Sequence, residues 1–417
     1  MRGSTGRARL DDPLRPRRIL IIVENLPVPF DRRVWSEATT LRQAGYEVSV
    51  ICPKAANARE SYVELEGIHI YRHPMIEARR ALGYPLEYAV AHFFEFVLAW
   101  WVFYKRGFDV VFCCNPPDTI FLVSGAFKLL FGTRCIFDHH DLNPELYEAK
   151  FGRRDFFYRM LCTAERLAFR VADVSIATNE SYRKIAIERG GKAPESVFVV
   201  RSGPQLERWK ILPPKSELKC GRQYLVGYVG VIGRQEGIDL LLAAAKHILA
   251  ARRDVHFAIA GSGPALEEMK QLAVTLGVAE HVTFIGRVPD AELLAMLNTA
   301  DVCVNPDRVS EMNDKSTMNK IMEYMALGKP IVQFDMTEGR VSAQDASLYA
   351  AANDPTDFGD KIVGLLNDPD RRERMGKFGR ARLVEHLAWE HEAPRLLAAC
   401  DAAFASVVRP QSLERPA

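Results

Sequence analysis

Two successive runs of short apolar segments, each alternating with helix-patterned stretches, narrow most sharply what this chain can fold into. In the first half the apolar segments are residues 19–23, 48–51, 110–113, 135–137, 174–177 and 197–200, with helical patterns such as 33–44 and 117–130 between them. In the second half they are 225–229, 256–260, 282–285, 302–304 and 331–334, separated by helical patterns at 238–251, 264–276, 290–297 and 318–326. Strands buried on both faces lose the polar alternation of a half-exposed sheet, so this pattern predicts parallel βαβ units. The fold class is therefore α/β with two Rossmann-like domains. A chain of 417 residues is long enough for two large cores. The expected division is a basic disordered tail over 1–17, a first domain over 18–203, a Pro-rich linker over 204–221, a second domain over 222–385, a closing helix over 386–407 and a tail over 408–417.

A net charge of +2 excludes a molecule-wide polyanion binder, so no nucleic-acid partner is expected. The basic residues are nevertheless uneven. Arg2, Arg7, Arg9, Arg15, Arg17 and Arg18 precede the first strand against only Asp11 and Asp12, which suits either a solvated tail or attraction to anionic lipid. Eight cysteines lie scattered, mostly within apolar runs and without a C-x-x-C, the pattern of buried thiols in a reducing compartment rather than of a disulfide framework or a zinc site. No signal peptide is expected, since no apolar stretch precedes a cleavage site. The most hydrophobic stretch, FVLAWWVFY at 96–104, is too short to cross a bilayer, which needs about 20 residues. It suits a buried helix of the first domain or a membrane interface.

Residues 299–335 hold the densest chemistry. A strand ends in Asn305-Pro306, a polar loop follows, and a helix then carries Glu323 within IMEYMALGKP ahead of the next strand. Parallel sheets bind ligands at the carboxyl ends of their strands. A carboxylate there cannot favour a phosphate but can accept hydrogen bonds from sugar or ribose hydroxyls. Gly261-Ser262-Gly263-Pro264 follows a strand and opens a helix, a turn that lets an anion approach free N–H groups, with proline suited to the first helical position. The longer dinucleotide fingerprint G-x-G-x-x-G is incomplete, which argues against a dehydrogenase. Asp138-His139-His140-Asp141 follows a first-half strand. The adjacent histidines lack a third ligand cluster, so no metal is expected there.

Five motifs in order, DRRVWSEA at 31–38, FDHHDLNPE at 137–145, FAIAGSGP at 257–264, the 299–335 segment and Trp389-Glu390, resemble the retaining glycosyltransferases of family 4, in particular a bacterial surface-polysaccharide branch. The resemblance implies the GT-B fold, with two Rossmann-like domains facing a central cleft and a last helix crossing back to the first domain. It implies transfer of a hexosyl or N-acetylhexosaminyl group from a nucleoside-diphosphate sugar, with retention, without metal and with no other cofactor. The implied acceptor is a saccharide, either free or carried on polyprenyl diphosphate at the inner face of the plasma membrane, with peripheral contact to it. By the same resemblance His140 faces the reacting sugar, and His140, Asp141 and Glu323 are the catalytic candidates. Glu24 and Asp31 line the acceptor side with His140, although an N-cap role alone suffices for Asp31. Arg234, Gly261, Gly263, Asn305, Thr317, Asn319, Lys320 and Glu323 serve the donor, although Thr317 and Asn319 equally suit a helix cap.

The chain departs from the family pattern at three positions. The usual pyrophosphate arginine and lysine stand at Val231 and Glu236, leaving Arg234 in that loop. The first of the family's two glutamates is replaced by Lys315, with Glu311 an alternative carboxylate. The hypothesis that follows is that positive charge has moved between loops, to Arg234 and Lys320, with Lys315 open. An epimerase of the same fold and a non-catalytic sugar-nucleotide binder are the rival readings.

Overall fold

The first run of apolar segments pairs into one sheet whose central strands bury nearly every side chain. The computed structural model describes residues 16–55, 58–74 and 84–405, excluding the side chains of 84–87. Its first compact unit runs to Arg201 and resumes at Ala393. In chain order it contains β1 (Arg18–Ile22), α1 (Arg32–Gln43), β2 (Glu47–Pro53), β3 (Tyr62–Leu65), β4 (Ile68–His73), α2 (Tyr84–Lys105), β5 (Val110–Cys114), α3 (Phe121–Phe131), β6 (Arg134–His139), α4 (Asn143–Phe151), α5 (Phe156–Val171), β7 (Val174–Ala177), α6 (Glu180–Glu188) and β8 (Val197–Val199). The strand order is β3-β4-β2-β1-β5-β6-β7-β8, parallel except for the antiparallel β3 edge. From β1 the chain moves first toward β2 and later toward β5. The carboxyl ends of β1 and β5 therefore flank the switch point, where connecting loops diverge and leave room for a ligand.

The second unit spans Ser202–Glu392. It holds β9 (Tyr224–Val229), α7 (Ile238–Ala251), β10 (Val255–Ala260), α8 (Leu266–Thr275), β11 (Val282–Gly286), α9 (Asp290–Thr299), β12 (Val302–Asn305), α10 (Glu311–Lys315), α11 (Asn319–Ala326), β13 (Ile331–Phe334), α12 (Thr337–Ala343), β14 (Ser347–Ala350), α13 (Pro355–Leu366) and α14 (Pro369–Arg382). Its all-parallel sheet is ordered β11-β10-β9-β12-β13-β14, which puts the switch point between β9 and β12. Phe257, Phe334, Phe358 and Ile248 are buried in the core that packs α7 and α13 on this sheet. The Pro-rich segment read as a linker is strapped to this unit. Leu212 N–H donates to Asn298 Oδ1 at 2.9 Å, Lys215 N–H to Thr299 Oγ1 at 2.8 Å, and Lys219 Nζ lies 2.9 Å from Asp301.

The last helix, α15 (Trp389–Ala405), joins the first unit from Ala393 on. Leu396, Ala399, Cys400 and Ala403 form its buried stripe at the three-to-four spacing of a helix. Arg17, expected in a disordered tail, is instead fixed. It pairs with Asp401, bonds Tyr46 Oη at 3.3 Å and lies 5.0 Å over the Phe404 ring. The ion pair is exposed and contributes little, so the ordering comes from the ring contacts around it. Residues 1–15 and 406–417 of the expected tails lie outside the described residues.

Candidate functional site

In the first unit the site residues gather at the carboxyl edge of the sheet. Glu24 follows β1 and is buried, and Asp31 is the N-cap of α1, its Oδ1 accepting from Val34 N–H at 3.0 Å. Arg33, the second residue of α1, reaches the end of β6. Its Nη2 lies 2.8 Å from Asp138 Oδ1, and its Nε lies 3.0 Å from Glu37 Oε1 and 2.8 Å from His140 Nε2. His140 Nε2 also contacts Asp138 Oδ2. Burial works against ionising Asp138, but Arg33 and His140 outweigh it and hold that carboxyl below its usual range. Burial and then the Asp138 charge push Glu37 well up.

Glu37, Cys114, Asp138 and His140 come within 4.8 Å of one another, close enough to suggest a metal. Arg33 already supplies counter-charge to this cluster, and burial pushes the Cys114 thiol up. His139, the other histidine of the motif, is structural. It is fully buried among Phe137, Phe169 and Tyr182 and stands 3.3 Å from Glu165, which pairs with Arg189 at 2.6 Å.

Asn115, which the sequence reading left out, holds the His140–Asp141 turn. Its Oδ1 accepts from the N–H groups of His140 (2.5 Å) and Asp141 (3.1 Å), and its Nδ2 donates to Asp118 Oδ1 and Asp141 O at 2.8 Å each. Burial pushes the Asp118 carboxyl up to about 6 against the lowering effect of His139, and it raises Asp141 as well. Asn115 sits at the end of β5, the strand across the switch point from β1. That position was the available signal for it.

In the second unit, β9 and β12 stop pairing after Gly227 and Cys303. The hydroxyl of Tyr324, on α11, enters the gap. It accepts from Val229 N–H at 3.0 Å and donates to Val304 O at 3.2 Å. Tyr324 thus supplies the missing rungs while the strand ends separate. The loops above this opening pack backbone on backbone. A Cβ on Gly261, at φ +139°, would lie 1.8 Å from Gly230 O, and one on Gly263 would lie 2.4 Å from Ile232 O. These glycines are required by loop-to-loop contact, whereas the sequence had suggested approach to a ligand. Gly261 N–H and Ala265 N–H are already bonded, to Gly286 O (2.8 Å) and Ile232 O (2.9 Å). α8 starts at Leu266, so Pro264 precedes the helix instead of opening it.

Ile321, Met322, Tyr324 and Met325 bury one side of α11, and Asn319, Lys320 and Glu323 share the rest of its first turns. Met318 is the N-cap and its side chain makes no capping bond, so neither Thr317 nor Asn319 stands at the N-cap position. Thr317 is half-buried and Asn319 exposed at the first helical position. Lys320 has a partner that the sequence did not suggest. Its Nζ lies 2.8 Å from both carboxylate oxygens of Asp307, which is buried, and 5.0 Å over the Tyr228 ring. Burial raises the Asp307 carboxyl against the lowering effect of Lys320. Burial lowers Lys320, but Asp307 and Tyr228 more than reverse it and leave the ammonium strongly favoured. Glu236, at the family's usual lysine position, is half-buried and pushed up by burial and then by Asp307.

Asn305 ends β12 with 0% exposure, and neither its amide nitrogen nor its oxygen has a hydrogen-bond partner among the described residues. Arg234 stands apart, 83% exposed and 3.3 Å from Glu268 of α8. Lys315 and Glu311 pair with each other at 2.7 Å along α10. The structure therefore places Gly261 and Gly263 after β10, Asn305 at the end of β12 and Lys320 on Asp307 just past it, with Glu323 about one turn further along α11 and Arg234 exposed on the loop after β9. Asp307 and Tyr324 lie within the 299–335 segment but were missed, because their partners Lys320, Val229 and Val304 meet them only once the strands and α11 have folded together.

Residues 31–203 match the model of the glycosyl transferase 4-like domain, and residues 223–368 match that of glycosyl transferases group 1. This chain belongs to the family 4 glycosyltransferases. Its fold is GT-B, two α/β units with parallel sheets and a C-terminal helix. It superposes on sucrose-phosphate synthase from Thermosynechococcus elongatus with a TM-score of 0.77 at 18% identity, covering 94% of this chain and 100% of that one. Anabaena Alr3699/HepE, solved in complex with UDP and glucose, gives a TM-score of 0.71 at 16% identity, covering 93% of this chain and 100% of that one. At these identities the likeness concerns the fold. In sequence the chain is 28% identical over 155 residues to the alpha-D-kanosaminyltransferase of Streptomyces kanamyceticus, 37% of this chain and 39% of that protein. It spans 39–53% of the length of the first curated relatives it matches.

Proposed function

We propose that this protein transfers a hexosyl or N-acetylhexosaminyl group from a nucleoside-diphosphate sugar to a saccharide acceptor, with retention at the anomeric carbon. The observation that supports the reading is the buried Asn305 amide, which ends β12 beside the switch point of the second unit without a partner among the described residues, with α11 and its half-buried Glu323 following in the chain. The N–H groups at the start of α11 carry partial positive charge. They stabilise charge that develops on the leaving diphosphate, the kind of interaction that contributes most to catalysis. Arg234 and Lys320 add cationic charge, with Asp307 as the resting counter-ion of Lys320. Glu323 accepts from the donor's hydroxyls. In the first unit His140 and Asp141 position the acceptor, with Glu24 and Asp31 alongside. The departing phosphate takes the acceptor's proton on the same face, so transfer needs neither a metal nor a second carboxylate.

The setting that fits the DRRVWSEA and FDHHDLNPE motifs is bacterial capsule, exopolysaccharide or lipopolysaccharide assembly in the cytoplasm, with an acceptor carried on polyprenyl diphosphate. UDP and glucose in Alr3699/HepE support a nucleotide-sugar donor. One observation favours a second reading, a non-catalytic sugar-nucleotide binder: Lys320 is already neutralised by Asp307.

Thermal unfolding with a panel of UDP- and GDP-sugars tests donor binding. At about 100 times its dissociation constant, a ligand that binds only the native state adds about 2.7 kcal/mol. That raises the melting temperature of a unit this size by roughly 5–10 °C. One base should do this and the other should not. No shift with any nucleotide sugar would contradict the proposal.

A further inference from the structure

The outer side of one helix layer in the first unit is apolar where it should be polar. α3 packs against both α2 and α5, and buried side chains of all three join one core over the sheet. A helix at a protein surface normally turns charged residues to water. On α2 the exposed stripe is instead Phe93, Val97, Trp100, Trp101 and Tyr104, at three-to-four spacing, with Tyr104 90% exposed. The stripe continues onto α3, where Leu129 is 86% exposed beside Leu122 and Leu130. Trp100 joins the two helices, its ring 5.5 Å from that of Phe131. On α5 the exposed apolar residues are Phe156, Phe157, Met160 and Leu167. Apolar patches this continuous on a soluble surface mark a contact.

The charges around the patch identify its occupant. Arg159, Arg166 and Arg170 are exposed on α5, and among the described residues none forms an ion pair with a carboxylate. Lys105 closes α2 with its ammonium 4.9 Å over the Trp101 ring. No described side chain on α2, α3 or α5 exposes a carboxylate, since Glu95 and Glu165 are fully buried. Tryptophan and tyrosine on α2 and unpaired arginines on α5, with no exposed carboxylate among the described side chains of these helices to match a basic partner, are complementary to lipid headgroups over acyl chains. Among the described residues no helix is long and apolar enough to cross a membrane, so the contact is with the surface.

We propose that the outer face of α2, α3 and α5 docks this protein on a bilayer containing anionic lipid. The face widens the role weighed for residues 96–104 to three helices and assigns the charge to α5 rather than to the N-terminal arginines. The inference rests on the proposed lipid-carried acceptor for its purpose only; the adsorption itself requires no acceptor and no turnover.

Co-sedimentation of the full chain with phosphatidylcholine vesicles, with and without phosphatidylglycerol, tests it. Binding should require phosphatidylglycerol. Replacing the three arginines by glutamine should weaken it about a hundredfold. Tyr104→Glu with Leu129→Glu should abolish binding, while the melting temperature and turnover on a soluble acceptor stay unchanged. No sedimentation with anionic vesicles would overturn the proposal. So would equal binding by all variants, or a dimer in solution that the glutamate variants dissociate while lipid binding is absent. Loss of transfer activity with vesicle binding intact would instead count against the proposed reaction.

Discussion

Lys320→Met should destabilise the protein by about 3–5 kcal/mol at pH 8, the usual cost of stranding one member of a buried ion pair. Asp307 is 1% exposed and meets Lys320 through both oxygens, so removing the ammonium leaves a buried carboxylate without its counter-charge. The pH dependence identifies the cause. Burial already raises the Asp307 carboxyl, and without Lys320 it rises further. A carboxyl whose folded pKa lies above its unfolded value loses stability as pH rises from the unfolded value through the folded one. The deficit of the variant should therefore be smaller near pH 5, where folded Asp307 takes up a proton, and larger at pH 8. Adding Asp307→Asn to Lys320→Met should recover most of the loss. Urea unfolding at the two pH values reads all three quantities. A single variant as stable as the parent at pH 8 would mean that Lys320 is not the charge that keeps Asp307 buried.

Glu323→Gln should behave in the opposite way. Glu323 lies on the half-buried side of α11, whose packing rests on Ile321, Met322, Tyr324 and Met325, so the fold should change by no more than about 0.5 kcal/mol. Turnover should fall roughly 10²–10³-fold, the loss seen when one preorganised transition-state hydrogen bond is removed. The glutamine keeps the shape and loses the charge that strengthens a bond from a sugar hydroxyl. The effect should fall mainly on kcat, because an interaction made chiefly in the transition state leaves ground-state affinity little changed. Undiminished turnover would remove Glu323 from the site.

The sheets were legible in the sequence wherever burial on both faces erased polar alternation, as at Val174–Ala177 and Ile331–Phe334, where expected and observed bounds coincide. The β3–β4 hairpin was missed because Tyr62–Leu65 is a half-exposed edge strand carrying a charge. Its signal was Glu66-Gly67, a turn in which both residues adopt positive φ (52° and 75°), as tight hairpin turns require. β14 was missed because Ser347–Ala350 is short and begins with a polar residue. At the site, the kinds of side chain within the motifs could be read and their pairings could not. Lys320 was recognisable as a cation near a strand end, but Asp307, thirteen positions earlier, becomes its partner only once β12 and α11 fold together. Asn115 and Tyr324 act through the switch points of their sheets, which exist only after strand order is set. Arg17 looked like tail because its partners, Asp401 and Phe404, come from the other end of the chain.

The most direct test is to incubate the purified protein with the nucleotide sugar that stabilises it and a saccharide acceptor, and to follow the anomeric proton of the product by NMR. The account predicts release of the nucleoside diphosphate in step with a new glycosidic linkage that keeps the donor's anomeric configuration. A product of inverted configuration, or a donor left intact while bound, would contradict it.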